Sequence, residues 1–582
     1  MDKYGLGVGV DFAGGMKRSE DEGMLVDNID ISEEGDEEEE EIELEHPLTN
    51  SIVASTILSY LSLEDLKVSR LVCRSWDEEA RVHQSRNVKV VLYSEERLKN
   101  YVYEFIGDRG FFDTVQLGPY MYMGNSSADR FFQLYGLYVK HLILHKTQCS
   151  AVHLREILFR WCPNLQELTM TGMTPGKSRL LEDLHVYDKL NLHNLKVVNI
   201  NLMLTQGEDL LRDFLFDLFS VSPNLEKIII PKNSYKGFLT TTISTLLESS
   251  DLPMDNLTSI DALFSFGDSQ IEQLTARGFP LETLNMQLMP NVTLDILLPL
   301  LDTLNNTLKN LRLYFYLTRF KELPNLVRLD KLEHLTLDTY QGSLKFISSL
   351  PELKVLSVTM KCLDELVVGF PRTHHGPGFW SCPSLRSFSA RLSVVEGCPS
   401  GIIASFESIF PGLRALTLPG ITDIALKLLC STYPKLEELN APQGIYTDMG
   451  ITGIAEGKLR FLSRSVNLSD LDGIRSSWET PNSGNLASLS KLQKLHLQSP
   501  DLTDDSIFFA ILHMHDLKEL SIERSDITDK GIDAITNHMN LQRLNIALCT
   551  RVSGPQLELV KAKLKNRHLI LNFDGKQYSM YD

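Results

Sequence analysis

Residues 492–546 read LQKLHLQSPDLTDDSIFFAILHMHDLKELSIERSDITDKGIDAITNHMNLQRLNI. One short pattern, L-x-x-L-x-L or its Ile-ending variant, occurs here three times, at residues 492–497, 517–522 and 541–546. In each copy the alternation places two apolar side chains on one face of a short strand and the residue between them on the other. The intervening segments, residues 504–517 and 529–541, carry apolar positions at helical spacing. A strand and a helix of this size cannot bury their apolar sides alone, whereas stacked copies share a continuous core.

Working outward, the same pattern marks sixteen units. Their middle apolar residues are Leu142, Leu168, Val198, Ile228, Ile260, Leu284, Leu311, Leu335, Leu356, Phe388, Leu416, Leu439, Leu462, Leu495, Leu520 and Leu544, at gaps of 21 to 33 residues. Leu462 is the weakest, because Arg464 stands where an apolar residue belongs. A chain of 582 residues would ordinarily divide into three or four compact domains, since a single core stops growing near ~250–300 residues. A solenoid has no such limit. The expected fold is therefore an α/β solenoid over residues 87–582, with parallel strands on a concave face and an inner arc of roughly 75 Å at ~4.8 Å per strand. Residues 87–138, which include the strand-like NVKVVLY, read as one irregular first repeat.

Composition narrows the class. With 76 acidic and 57 basic side chains the formal net charge is −19, and residues 1–46 alone hold 17 Asp/Glu against 3 Lys/Arg. The tail is thus at −14 and the remaining body is nearly balanced, without the basic stripe that direct nucleic-acid binding needs. The run EEGDEEEEEIELE at residues 33–45 cannot bury enough apolar surface to offset chain entropy, so residues 1–46 are expected to be a disordered acidic tail. That tail either solubilises the chain or binds a basic partner. No apolar run reaches signal-peptide or membrane-span length, and eight cysteines lie far apart without a CxxC. Both features point to the cytosol or nucleus.

Between tail and array, residues 47–86 read as three short helices. Ile52, Ile57, Leu58 and Leu61 recur at helical spacing, Ser62 can cap a second helix with Glu64 and Asp65 in its first turn, and Leu66, Leu71, Val72, Cys73 and Trp76 supply further apolar positions. A unit of about 40 residues rarely buries enough surface to be stable alone, so part of its apolar set is expected to pack on another chain or on the next domain.

The run Leu61-Ser62-Leu63-Glu64-Asp65-Leu66, followed by Ser69-Arg70-Leu71-Val72-Cys73-Arg74-Ser75-Trp76, resembles the F-box. This chain has Pro47-Leu48 where that family usually opens with Leu-Pro. The resemblance implies docking on the small adaptor subunit of cullin-based (SCF) ubiquitin ligases, and through it on cullin and RING subunits. Carried over position by position, the adaptor contact comprises Pro47, Leu48, Ile52, Ile57, Leu58, Leu61, Leu66, Val72 and Trp76. Trp76 is equally readable as a core residue. The repeats likewise resemble leucine-rich repeats of the subtype found behind F-boxes. Cys162-Pro163-Asn164-Leu165, Cys382-Pro383-Ser384-Leu385 and Pro434-Lys435-Leu436 precede strands, and Thr422-Asp423, Thr447-Asp448, Thr503-Asp504 and Thr528-Asp529 open helices, where they suit N-capping.

The exposed residue of each strand is expected to line the concave face: Thr169, Asn199, Asn285, Arg312, Thr336, Thr417, Asn440, His496, Ser521 and Asn545 among them. Arg312, Tyr314 and Tyr316 near the middle, and Lys494, His496 and Arg543 toward the end, are the candidate target-binding residues, Arg and Tyr being the types that dominate binding energy. Two interruptions, residues 370–379 (FPRTHHGPGF) and 465–485, suggest loops over that face. His374 and His375 between Cys362 and Cys382 have the wrong spacing for any common zinc module. There is no GxSxG, no HExxH and no phosphate loop; Gly5, Gly7 and Gly9 lack a preceding strand, so neither an enzyme nor a resident cofactor is expected. The leading expectation is a substrate-recognition subunit of an SCF ligase. The alternative is a non-ligase scaffold in which tail and solenoid bind a basic protein. A ligand-gated receptor ranks last, because the inner face has only scattered Arg and Lys.

Overall fold

The computed structural model describes residues 51–87, 89–104, 112–119, 121–124, 126–149, 151–172, 174–175, 192–201, 208–231, 247, 252–315, 328–340, 344–360, 381–392, 397–398, 400–465, 484–538, 541–564, 570–573 and 576–578. The acidic tail, Pro47, Leu48, Tyr316, residues 370–379 and residues 466–483 lie outside the described residues.

The leucine alternation builds one sheet. Among the described residues nineteen strands form it, running from Lys89–Leu92 to Lys576–Tyr578, and each pairs with the next strand of that sheet in sequence. All pairings are parallel except the last, where Lys576–Tyr578 turns back antiparallel along Ile570–Phe573. The register is that of the repeat. Leu142 stands opposite Leu168, Leu168 opposite Val198, and the ladder continues through Leu311, Phe388, Leu416 and Leu495 to Leu544. These side chains are fully or nearly fully buried and belong to one continuous apolar core that spans the array.

Three details differ from the reading of the sequence. Leu462 lies in the helix Glu456–Ser465, and the strand of Leu439 pairs directly with that of Leu495. The Leu459-x-x-Leu462 spacing that imitated a strand motif is also the i, i+3 spacing of a helix face, and Arg464 was the discriminating residue. At the front, residues 87–138 supply two strands rather than one irregular unit: Val90 stacks on Val115, and Val115 on Leu142. At the back, Leu571 extends the ladder beyond Leu544.

Helices fill the other side. Successive ones pack against each other, as Asp268–Arg277 does on Leu294–Thr303 and Asp504–Phe509 on Asp529–His538. Parallel strands are spaced ~4.8 Å apart whereas packed helices need ~8–10 Å, so the array curves with the strands inside. The result is a leucine-rich-repeat solenoid. The cysteines of the Cys-Pro-x-Leu segments are core residues, Cys162 and Cys382 being nearly inaccessible, and burial pushes both thiols up from their ordinary pKa.

A recurring turn ends the strands. The residue just after several of them adopts left-handed backbone: Lys146, Gly172, Thr339, Arg524 and Leu548, with φ between 50° and 62°. Only Gly172 does so without steric cost.

Residues 51–87 form a separate three-helix block: α1 (Ser51–Leu58), α2 (Leu63–Ser69) and α3 (Arg74–Asn87). Ser62 caps α2 as its sequence suggests, accepting the Asp65 N–H at 3.2 Å. The block has its own small core of Leu58, Leu66 and Ala80, with Leu61 and Trp76 packed half-buried against it. Asp77 ties α3 to the α2–α3 connection, accepting from Arg70 at 2.7 Å and pairing with Arg81 at 2.7 Å. These bonds, the Arg81 one foremost, hold its carboxyl below the usual range.

Candidate protein-interaction surfaces

Three surfaces stand out. The first is the outside of the helical block. Ile52, Tyr60, Val68, Leu71 and Val72 are each more than 60% exposed, Leu71 and Tyr60 reaching 85%. Ile57 is on the margin of exposure. Of the residues carried over as adaptor contacts, Ile52, Ile57 and Val72 are therefore presented to solvent, while Leu58 and Leu66 are interior. The latter two correct the contact surface as drawn from sequence: they shape the block and have no outer face to offer. Leu61 and Trp76 are intermediate, so Trp76 is partly a core residue. Sequence reasoning missed Tyr60, Val68 and Leu71. Leu71 and Val72 were read as apolar positions of the helices, yet they lie in the connection between α2 and α3, where neither helix covers them.

The second surface is the open face of the sheet. Thr169, Asn199, Asn285, Arg312, Thr336, Thr417, Asn440, His496, Ser521 and Asn545 form a middle row, all half-buried between their neighbours. The row is dominated by hydroxyl and amide groups. Its few charges are held across strands. Arg312 donates Nε to Asp338 Oδ2 at 2.7 Å, and the other Asp338 oxygen accepts from the Thr359 hydroxyl at 2.9 Å. Tyr314 lies half-buried two residues on from Arg312, opposite Asp338 in the strand register. Lys494 pairs with Glu438 at 3.7 Å and Arg543 with Glu519 at 3.4 Å.

Toward the C-terminal end a compact polar network forms. Asn545 donates to the Ser521 hydroxyl at 2.8 Å and to Glu523 at 3.1 Å, and His496 Nε2 lies 3.7 Å from the same carboxylate. Burial lowers the His496 pKa from its ordinary value, and the Glu523 charge pulls the other way. The structure thus brings Lys494, His496 and Arg543 onto one region of the face, where Lys494 and Arg543 are each paired with a neighbouring acid and His496 lies 3.7 Å from Glu523. Arg312 belongs to a different region four strands before Leu416. The basic side chains Arg312, Lys494 and Arg543 are thus compensated within the sheet.

The third surface is the edge where helices begin. Each Thr–Asp pair caps its own helix: Thr422, Thr447, Thr503 and Thr528 accept an N–H two or three residues on, at 3.2 to 3.3 Å. The aspartate reaches to the next repeat. Thr447 N–H and hydroxyl both donate to Asp423, at 2.7 and 3.0 Å. Thr503 does the same to Asp448, Thr528 to Asp504, and Ser553 to Asp529. The pairs form a continuous ladder that fixes the spacing between repeats. Glycine makes room for it: a Cβ on Gly450 would meet Asp423 Oδ1 at 2.1 Å, and one on Gly531 would meet Asp504 Oδ1 at 2.4 Å.

No family model matches the chain, and no curated protein matches its sequence. Among solved structures, a leucine-rich-repeat protein of Leptospira interrogans is 15% identical with a TM-score of 0.36, over 83% of this chain and 100% of that one. TLR13, solved in complex with ssRNA13, is 14% identical with a TM-score of 0.39, over 79% and 70%. An internalin of Listeria monocytogenes is 12% identical with a TM-score of 0.26, over 88% and 94%.

Proposed function

We propose that this chain is a non-catalytic protein-interaction scaffold and, more specifically, the substrate-recognition subunit of a cullin-based ubiquitin ligase. In this reading the helical block holds the adaptor and the solenoid holds a target protein. The observation that carries it is the block itself. It has a core of three fully buried side chains, yet leaves Ile52, Tyr60, Val68, Leu71 and Val72 in solvent. Covering a large apolar side chain is worth ~1.5–3 kcal/mol, so a partner helix laid across several of them gains most of what a stable contact requires. The likeness of residues 61–76 to the F-box supports an SCF adaptor as that partner. Cullin and RING subunits follow through the adaptor, and ubiquitin transfer results from proximity to a loaded enzyme. The cytosol or nucleus is the compartment that fits reduced thiols and this assembly.

Co-purification of the full chain with the SCF adaptor tests the reading. Ile52→Ser, Leu71→Ser and Val72→Ser together alter only exposed positions, so the block should keep its helices and lose the adaptor. Adaptor binding that survives the triple variant sinks the proposed contact. The −14 tail favours a second reading, a scaffold without ligase activity that captures a basic protein. Deleting residues 1–46 separates the two: salt-sensitive loss of the main partner supports the scaffold, and unchanged partner binding supports the ligase.

A further inference from the structure

The helix-start edge changes character along its length. Two residues before the capping threonine stand, in the four successive rungs, Gly420, Ile445, Asp501 and Asp526; one residue after the aspartate stand Ile424, Met449, Asp505 and, on the last rung, Lys530. The first part of the edge is apolar and the next part acidic. Ile424, Ile445 and Met449 are 71%, 51% and 43% exposed, on rungs that the Asp423–Thr447 bonds hold side by side. A cavity of about 520 Å³ joins the two parts, with Met449, Pro500, Asp501, Asp505 and Asp526 among its lining residues. The cation at its rim, Arg460, is taken by Glu456, and Asp526 is paired with Arg551 at 2.7 Å. The cavity is lined by the carboxylates of Asp423, Asp448, Glu456, Asp501, Asp505 and Asp526 against the single cation Arg460, so its field is negative.

We propose that this edge docks an extended segment of a partner protein in which an aliphatic side chain is followed, two or three residues later, by Lys or Arg. The aliphatic group covers Ile424, Ile445 and Met449, and the cation enters the acidic cavity. Rungs ~4.8 Å apart and an extended chain advancing ~3.3 Å per residue set that spacing. Charge identifies the occupant: residues 1–46 of this chain, at −14, have the wrong sign to fill the site. The surface lies on the helix-start edge, apart from the open strand face and the helical block, so it stands whether or not the chain serves a ligase.

The test uses the full chain and fluorescein-labelled peptides containing Leu-Gly-Arg-Arg, Ser-Gly-Arg-Arg or Leu-Gly-Glu-Glu, read by anisotropy. The first should bind at least about tenfold more tightly than the other two, the effect of one lost anchor. Ile424→Ser with Met449→Ser, and separately Asp501→Asn with Asp505→Asn, should each weaken it by a similar factor. Both pairs alter side chains outside the Thr–Asp ladder, and unchanged circular dichroism verifies the fold. Equal affinity for the Leu and Ser peptides overturns the proposal. So does binding that survives both double variants, which would place the peptide on the acidic tail or another acidic surface.

Discussion

A glycine in a helix is normally a weak point, and replacing it with alanine raises stability by ~0.5–1 kcal/mol. Gly531, the third residue of Asp529–His538, should do the opposite. An added methyl would sit 2.4 Å from Asp504 Oδ1, so the carboxylate has to move off Thr528, whose N–H it accepts at 2.8 Å and whose hydroxyl it accepts at 2.5 Å. Hydrogen bonds to a charged group are worth ~1.5–3 kcal/mol each when sheltered, and half exposure roughly halves that. Losing both costs about 2–3 kcal/mol, against which the helical gain returns about 1. Gly531→Ala should therefore destabilise by about 1–2 kcal/mol. Gly401, in the helix Ser400–Ile409 with nothing within 4 Å of its Cβ position, provides the control and should stabilise on the same change. In a stacked array the loss registers in the repeats on either side, so urea unfolding should be joined by amide exchange across residues 519–547. In the Asp504→Ala background the methyl meets no carboxylate, and Gly531→Ala should then be neutral or stabilising. If Gly531→Ala stabilises the wild-type chain as Gly401→Ala does, the ladder does not bear the load assigned to it.

Other outcomes follow from single sites. Leu548 holds φ 56° with its side chain 55% exposed; a left-handed non-glycine costs ~1–2 kcal/mol and glycine's own entropy ~0.5–1, so Leu548→Gly should raise the melting temperature slightly, and a clear fall would refute the strain. His496 should titrate below the ordinary histidine value by NMR, and Glu523→Gln should lower it further, because the carboxylate favours the charged ring; an upward move would contradict the geometry. Because the folded state holds this proton less tightly than the unfolded state, its contribution to stability is complete above about pH 6.5 and declines as pH falls below that. Asp77 is depressed by Arg81 and Arg70, so its contribution to the helical block is present above about pH 4 and lost as pH falls through the lower folded value. Asp77→Asn should cost about 1 kcal/mol at neutral pH, seen as faster amide exchange in α3, and exchange that is unchanged would discount the pairing.

The strand ladder was legible because a buried parallel strand repeats its demand every unit: an apolar pair at i and i+2, satisfied only by the same pair in the next unit. Fifteen of the sixteen marker residues stack on that logic. Leu462 failed because a helix face and a strand motif share the L-x-x-L spacing, and only the packing of the neighbouring strands on each other resolves which is used. The capping role of the Thr–Asp pairs and of Ser62 was likewise local, a side chain bonding to its own backbone, and local chemistry is written in order along the chain.

What sequence alone could not supply depends on residues brought together from different units. That the Thr–Asp aspartates bridge repeats, that Gly450 and Gly531 exist to admit them, and that Arg312, Lys494 and Arg543 are already paired are facts about neighbours 24 to 56 positions away. Burial also divides the helical block's leucines and valines into a core and an exposed set, which identical apolar letters cannot announce. The sequence by itself determined a solenoid, its strand register and its caps, because those are periodic and local demands. The tertiary structure alone decided which charges are spent internally and which apolar groups remain open to a partner, because exposure and pairing are properties of the assembled surface.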